Sequence, residues 1–236
     1  MSLETYATKA FALLQEVLER ETPALKEAAR VMADAIAADR LIYAFGTGHS
    51  YGLAAELFHR AGGLAPVSLM MDSGTAFEPG ATASTFLERV PGYGVHVVER
   101  YPVEAGDVLL AISNSAANAV VLDVARAAKA RGMTVIALLS RPYAQMKNSP
   151  MPQIADLVLD NHTPPGDALV EVGGETVAAG SGVAGSFILG ALVAEVAGLL
   201  AAEGRGVPAY RSSNMPGAEE HNMGLLERYR HRVKHL

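Results

Sequence analysis

The chain has 236 residues, half of them apolar and 19% charged, so it can bury a sizeable core and is not a disordered segment. Lys and Arg number 19 against 25 Asp and Glu, and the net charge of -6 argues against nucleic acid or an anionic membrane as partner. The absence of cysteine excludes disulfides, thiolate metal centres, iron–sulfur clusters and a cysteine nucleophile, and suits a reducing compartment.

The N-terminal residues lack an apolar leader core, with Lys9, Glu16, Glu19 and Arg20 spread through them, and the protein is expected in the cytoplasm. Tyr6, Ala10, Leu13, Leu14, Val17 and Leu18 recur at helical spacing and predict a first helix. Thr22-Pro23 predicts an N-cap and a first-position proline for a second helix, which reaches about Asp39 with Leu25, Ala28, Met32, Ala35 and Ile36 on one stripe. Leu41 to Phe45 is the first buried strand; it ends in Gly46-Thr47-Gly48-His49-Ser50, and a helix is expected from there to Gly62-Gly63. Residues 66–71 read as a second strand. Residues 72–94, rich in Gly, Pro, Ser and Thr, read as loop with a short helix around Thr85-Phe86-Leu87. A third strand at 107–112 ends in Ser113-Asn114-Ser115 and leads into a helix over 118–131 closed by Gly132. Strands four and five are expected at 134–139 and 154–160, followed by a loop over 161–180 that has room for a small ribbon. The apolar segment 183–202 contains Glu195 and several glycines and is read as a buried helix rather than a membrane span. A last helix is expected over about 218–235.

Short apolar strands alternating with helices predict one three-layer α/β/α domain over 1–236: a five-stranded parallel sheet, doubly wound and flavodoxin-like, after two N-terminal helices. Its parts are a helical pair (1–40), the α/β core (41–202) and a C-terminal loop and helix (203–236).

Ligands of open parallel sheets bind beyond the carboxyl ends of the strands. Two such ends carry small residues with hydroxyl or amide donors at the start of a helix: Gly46, Thr47, Gly48, His49 and Ser50 after strand one, and Ser113, Asn114, Ser115 and Asn118 after strand three. Helix N-termini favour anions, and glycine lets the backbone approach closely. Together the two loops are expected to hold a phosphate, and neither contains a lysine. The rival is a dinucleotide site, with Gly46, Gly48 and Gly52 as a glycine-rich turn and Asp72 as a ribose clamp. Its spacing departs from the usual fingerprint, and it leaves the serine-rich loop without a role. A P-loop is excluded by sequence.

Two N-terminal helices, strand–Gly-Thr-Gly-His-Ser–helix and strand–Ser-Asn-Ser–helix resemble the SIS (sugar isomerase) domain, the phosphosugar-binding fold, over nearly the whole chain. The run from Glu56 to Leu64, and the tail from Ser212-Ser213-Asn214 to Glu220-His221-Asn222, resemble the stand-alone bacterial SIS proteins of the UPF0309 type. More distant relatives include phosphoheptose isomerase, the isomerase domain of glucosamine-6-phosphate synthase and N-acetylmuramic acid 6-phosphate etherase. In the family pattern Ser-x-Ser-Gly-x-Thr, Ser113 and Ser115 match, Ala116 replaces the glycine and Asn118 the threonine. The resemblance implies that Ser50, Ser113 and Ser115 contact a sugar phosphate, and that a homodimer or homotetramer completes the site.

Aldose–ketose isomerisation moves a proton between C1 and C2 through an enediol, and carboxylates and histidines suit that work. The candidates are Glu56, Glu78, Glu220, His49 and His221. Glu56 lies six residues past Ser50, roughly 9 Å along a helix, with an i,i+4 pair to Arg60 as its plain alternative. Glu219 and Glu220 suit a helix start on charge grounds alone. His221 is the candidate for ring opening, because some SIS enzymes draw such a histidine from the C-terminal segment of another subunit. His231 and His235 share i,i+4 spacing but lack a third ligand, so no metal is expected, and no organic cofactor. The expected function is that of a sugar-phosphate isomerase; a non-catalytic phosphosugar sensor and an etherase-like lyase are the alternatives.

Overall fold

The computed structural model describes residues 2–236. A single helix, α1 (Ser2–Ala37), precedes the sheet, where the sequence predicts two. Pro23 lies inside it, and the Thr22 hydroxyl donates back to the Leu18 carbonyl instead of capping a new helix. The apolar stripe explains the continuity. Leu13, Val17, Leu25, Ala28, Met32 and Ile36 are buried on one face that runs straight through the proline. Packing of that face on both sides offsets the roughly 3 kcal/mol that an interior proline costs.

The sheet consists of β1 (Ile42–Gly46), β2 (Val67–Leu69), β3 (Val108–Ile112), β4 (Thr134–Leu139) and β5 (Leu157–Asp160), all parallel, in the order β2-β1-β3-β4-β5. This is the flavodoxin-like order, whose switch point lies between β1 and β3. Between them run α2 (His49–Ala55), α3 (Ala81–Leu87), α4 (Tyr93–Glu99), α5 (Ala119–Ala130), α6 (Arg141–Met146) and α7 (Met151–Ile154). The expected ribbon is a hairpin of β6 (Ala168–Val172) and β7 (Glu175–Ala179). The chain closes with α8 (Ser181–Ala202) and α9 (Ala218–Tyr229).

Alternate strand residues divide the core in two, as a sheet covered on both faces requires. Ile42, Ala44, Leu110 and Ile136 face α1, α2 and α8. Tyr43, Phe45, Leu109 and Val135 face α4, α5 and the chain end around Tyr229 and Val233. Helix α8 is long and apolar enough to cross a membrane by length and composition. It lies along α1, burying Ile188, Leu192, Val196 and Leu200, and its end is held by the Arg30–Glu203 ion pair. Its exposed face carries Gly182, Ser186, Gly190, Ala194 and Gly198, one small residue per turn.

Candidate functional site

Gly46 at the end of β1 pairs with Ile112 at the end of β3. Thr47 and Ser113 therefore leave the sheet side by side, at the switch point, from strands about 4.8 Å apart. This register brings together the two loops singled out in the sequence.

The first loop is built tightly. Gly48 has a φ of 52°, which an L side chain rarely adopts, and its N–H donates to the Thr75 carbonyl at 2.8 Å. The same carbonyl accepts the Ser84 hydroxyl at 3.0 Å, so the first loop, the segment after β2 and α3 meet at one oxygen. The His49 ring stands edge-on to Phe77, centroids 4.9 Å apart. Thr47 is buried, and its hydroxyl donates to Glu88 Oε2 at 2.8 Å, so it is already engaged within the chain.

In the second loop, Ser113 Oγ accepts the Ala116 N–H at 3.2 Å, closing a serine turn. Ala116, where the family pattern has glycine, is in the left-handed region at φ 49°. It is held there by burial and by the Ser149 hydroxyl, which donates to its carbonyl. Asn114 is fixed by its acceptor end: Oδ1 takes Asn161 Nδ2 at 2.8 Å and Thr163 Oγ1 at 3.0 Å. Among the described residues its Nδ2 is buried without a partner. A buried amide donor left unpaired is costly, and among the described residues Ser68 Oγ and the Tyr210 hydroxyl are unpaired in the same way. Asn118 is the N-cap of α5, but its side chain caps nothing. Among the described residues, the hydroxyls of Ser50 and Ser115 have no hydrogen-bond partner either.

The acid–base candidates are scattered. Helix α2 runs back from the carboxyl end of the sheet, so the roughly 9 Å from Ser50 to Glu56 leads away from the loops rather than across them. Glu56 is exposed and ion-paired with Arg60, beside a groove of about 440 Å³ between the segment after α2 and α8. The segment before α9 is bound to residues 62–65, which precede β2: Tyr210 N–H donates to the Gly63 carbonyl, and Ala65 N–H to that of Pro208. His221 donates from Nε2 to the Ala209 carbonyl at 2.9 Å. Glu220 and His221 therefore stand at the amino end of the sheet, opposite the loops of the same chain. Glu78 is exposed in the segment after β2, where burial and then the Glu78 charge raise the Tyr51 phenol.

Asp72 is not free to clamp a ribose. Its Oδ1 accepts Arg100 Nη2 at 2.8 Å and the Tyr93 hydroxyl at 3.1 Å, and its Oδ2 accepts the Thr75 N–H and hydroxyl. Burial, and then the Asp72 charge, raise the Tyr93 phenol. Among the described residues no group of three or more His, Asp or Glu side chains is placed to hold a metal. His235 lies 3.0 Å from the Tyr101 hydroxyl instead.

Residues 5–140, more than half of the chain, match the SIS domain family. The chain belongs to the SIS domain family. This SIS domain is 40% identical over 238 residues to the UPF0309 proteins of Brucella canis and Brucella suis, with 99% of this chain and 98% of each relative aligned. Its fold is similar to that of phosphoheptose isomerase GmhA from Neisseria gonorrhoeae (TM-score 0.55, 22% identity, 82% of this chain and 96% of that one). It is also similar to the sugar isomerase domain of an RpiR transcription factor from Sphaerobacter thermophilus (TM-score 0.55, 17% identity, 98% of each chain). The Vibrio vulnificus NanR protein complexed with ManNAc-6P resembles it as well (TM-score 0.54, 18% identity, 97% of this chain and 67% of that one).

Three side chains at the loops of this SIS domain escape sequence reasoning. Asn161 and Thr163 follow β5 and position Asn114; their only signal is that they, too, follow a strand's carboxyl end. Glu88 closes α3 and meets Thr47. It directly follows the short helix expected around 85–87, but nothing local marks it as a site residue.

Proposed function

We propose that this SIS-domain protein binds a sugar phosphate between the loops at 46–50 and 113–118 and isomerises aldose phosphate to ketose phosphate through an enediol. The observation that carries the reading is the pairing of Gly46 with Ile112, which starts both loops side by side at the switch point. The phosphate is received by loop N–H groups, by the hydroxyls of Ser50, Ser113 and Ser115, and by the amides of Asn114 and Asn118. The unpaired Asn114 Nδ2 supports this assignment. Gly46, Gly48 and His49 shape the first loop, and Thr47 offers its backbone, since its hydroxyl is taken.

The reading includes a cytoplasmic homo-oligomer, dimer or tetramer, with a composite site. Leu3, Phe11 and Leu18 project from one face of α1, exposed by 75%, 72% and 49%, and the outer face of α8 presents small residues on which such side chains can seat. Glu220 and His221, distant from the loops of their own chain, enter the site as residues of a second copy, with His221 opening the sugar ring. Glu56, held by Arg60 just past the end of α2, receives no proton-transfer role.

Calorimetric titration with ribose 5-phosphate, fructose 6-phosphate and N-acetylmannosamine 6-phosphate tests the reading, beside the unphosphorylated sugars. Binding that requires the phosphate and weakens at least tenfold in S50A and S115A is expected. Equal affinity for sugars without phosphate overturns it. Phosphate-dependent binding with no turnover of any sugar places the protein among sensors.

A further inference from the structure

Isomerisation requires a base at the substrate's C2, and of the carboxylates chosen from the sequence Glu56 is paired with Arg60 away from the loops, Glu220 reaches them only from a second copy, and Glu78, near Tyr51, is exposed. We infer that Glu88 is that base; the inference rests on the reading of the two loops as a sugar-phosphate site.

Glu88 touches both halves of the site. Its Oε2 accepts the Thr47 hydroxyl at 2.8 Å, and its carbonyl accepts the Val120 N–H, in the first turn of α5, at 3.1 Å. Its own N–H donates to the Ser84 carbonyl, and the Ser84 hydroxyl reaches the Thr75 oxygen that also holds Gly48. The carboxylate is thus fixed at its backbone from two sides and at its head by Thr47. It is half-buried and makes no ion pair among the described residues. Only one of its oxygens is used, so Oε1 remains to accept a proton. A general base has to be positioned by its neighbours and still unneutralised by a cation. Glu56 fails the second condition, being paired with Arg60. Glu78 fails the first, being exposed and without a hydrogen bond among the described residues.

The step balances without a co-reactant. In the ring-opened aldose phosphate, Glu88 takes the C2 proton, the C2–H electron pair becomes the C1–C2 double bond, and the C1 oxygen takes a proton from solvent water. The enediol then returns the C2-oxygen proton to the solvent water, C1 takes the proton from the Glu88 carboxylic acid, and the ketose leaves. Thr47 is a positioning residue that holds the carboxylate toward the cleft.

The experiment uses the full chain and follows deuterium entry at C2 of ribose 5-phosphate and N-acetylmannosamine 6-phosphate, and at C1 of fructose 6-phosphate, in D2O by NMR, with affinities measured in parallel. For a sugar that the wild type binds and exchanges, E88Q should bind within about threefold and exchange at least about 100-fold more slowly, the span expected for a lost general base. T47V should lower kcat about tenfold with KM nearly unchanged, and E88D should recover part of the loss. Wild-type exchange in E88Q, or a loss in E78Q without one in E88Q, overturns the assignment and leaves the phosphosugar reading standing. A wild type that binds these sugars but never exchanges overturns the assignment together with the isomerase activity. A wild type that binds none of them overturns the phosphosugar reading itself.

Discussion

Gly46 and Ser50 approach so closely that no side chain fits between them. A Cβ on Gly46 would lie 2.4 Å from the Ser50 carbonyl oxygen and 2.5 Å from its carbon. The obstacle is backbone, so it cannot turn aside as a flexible side chain would. Substitution G46A is expected to displace the turn at a cost of about 1–3 kcal/mol and to lower Tm by on the order of 5 °C. Calorimetric melting checks this, and an unchanged Tm would show that the turn is looser than the contact implies.

Asn114 separates donor from acceptor within one side chain. N114D keeps the oxygen that serves Asn161 and Thr163 and replaces the unpaired amide nitrogen with a charged oxygen. Phosphosugar affinity should fall at least about tenfold, or roughly 1.4 kcal/mol, and further than in N114A, because the new charge repels the ligand. Equal losses in the two variants would mean that the amide does not face the anion.

Pro23 interrupts the hydrogen-bond ladder of α1 at a point where the stripe on both sides is buried. P23A restores an N–H to the helix and should stabilise the fold by about 1–3 kcal/mol, raising Tm by several degrees. A lower Tm in P23A would show that the proline ring itself packs to advantage.

His235 is held below the usual histidine range, first by burial and then by the Lys234 and Arg100 charges. The unfolded chain therefore takes up this proton before the folded one as pH falls below 6.5. The contribution is fully present above that value and is lost as pH drops toward the depressed folded value. Denaturant midpoints at pH 8 and pH 5.5 should differ more in the wild type than in H235Q. The same difference in both proteins would mean that other groups carry the dependence.

The strands were the most legible elements, because β1, β3 and β4 are uninterrupted apolar runs ended by polar turns. The two loops were legible for a related reason: each begins where such a run stops. The proline misleads in α1, because local preference for a helix start is overridden by a stripe that α8 buries on both sides. Helix α2 is shorter than the glycine pair at 62–63 suggests, since its last turn gives way at Glu56 to the crossing toward β2. Helices α4 and α6 are too short to show a period, and the expected strand 154–160 shortens to β5 because Met151–Ile154 is a helical turn. Glu88 is invisible for another reason: its partner Thr47 is 41 positions away, and only the path of the segment after β2 brings them together.

Neither loop contains lysine or arginine. A doubly charged guest seated there would be gripped by oriented neutral dipoles within a molecule whose overall charge has the same sign as its own. Its capture would owe little to long-range attraction, and its residence time would barely respond to added potassium chloride. Such a receptor discriminates through bond direction, and crowded cellular electrolyte would leave that discrimination intact.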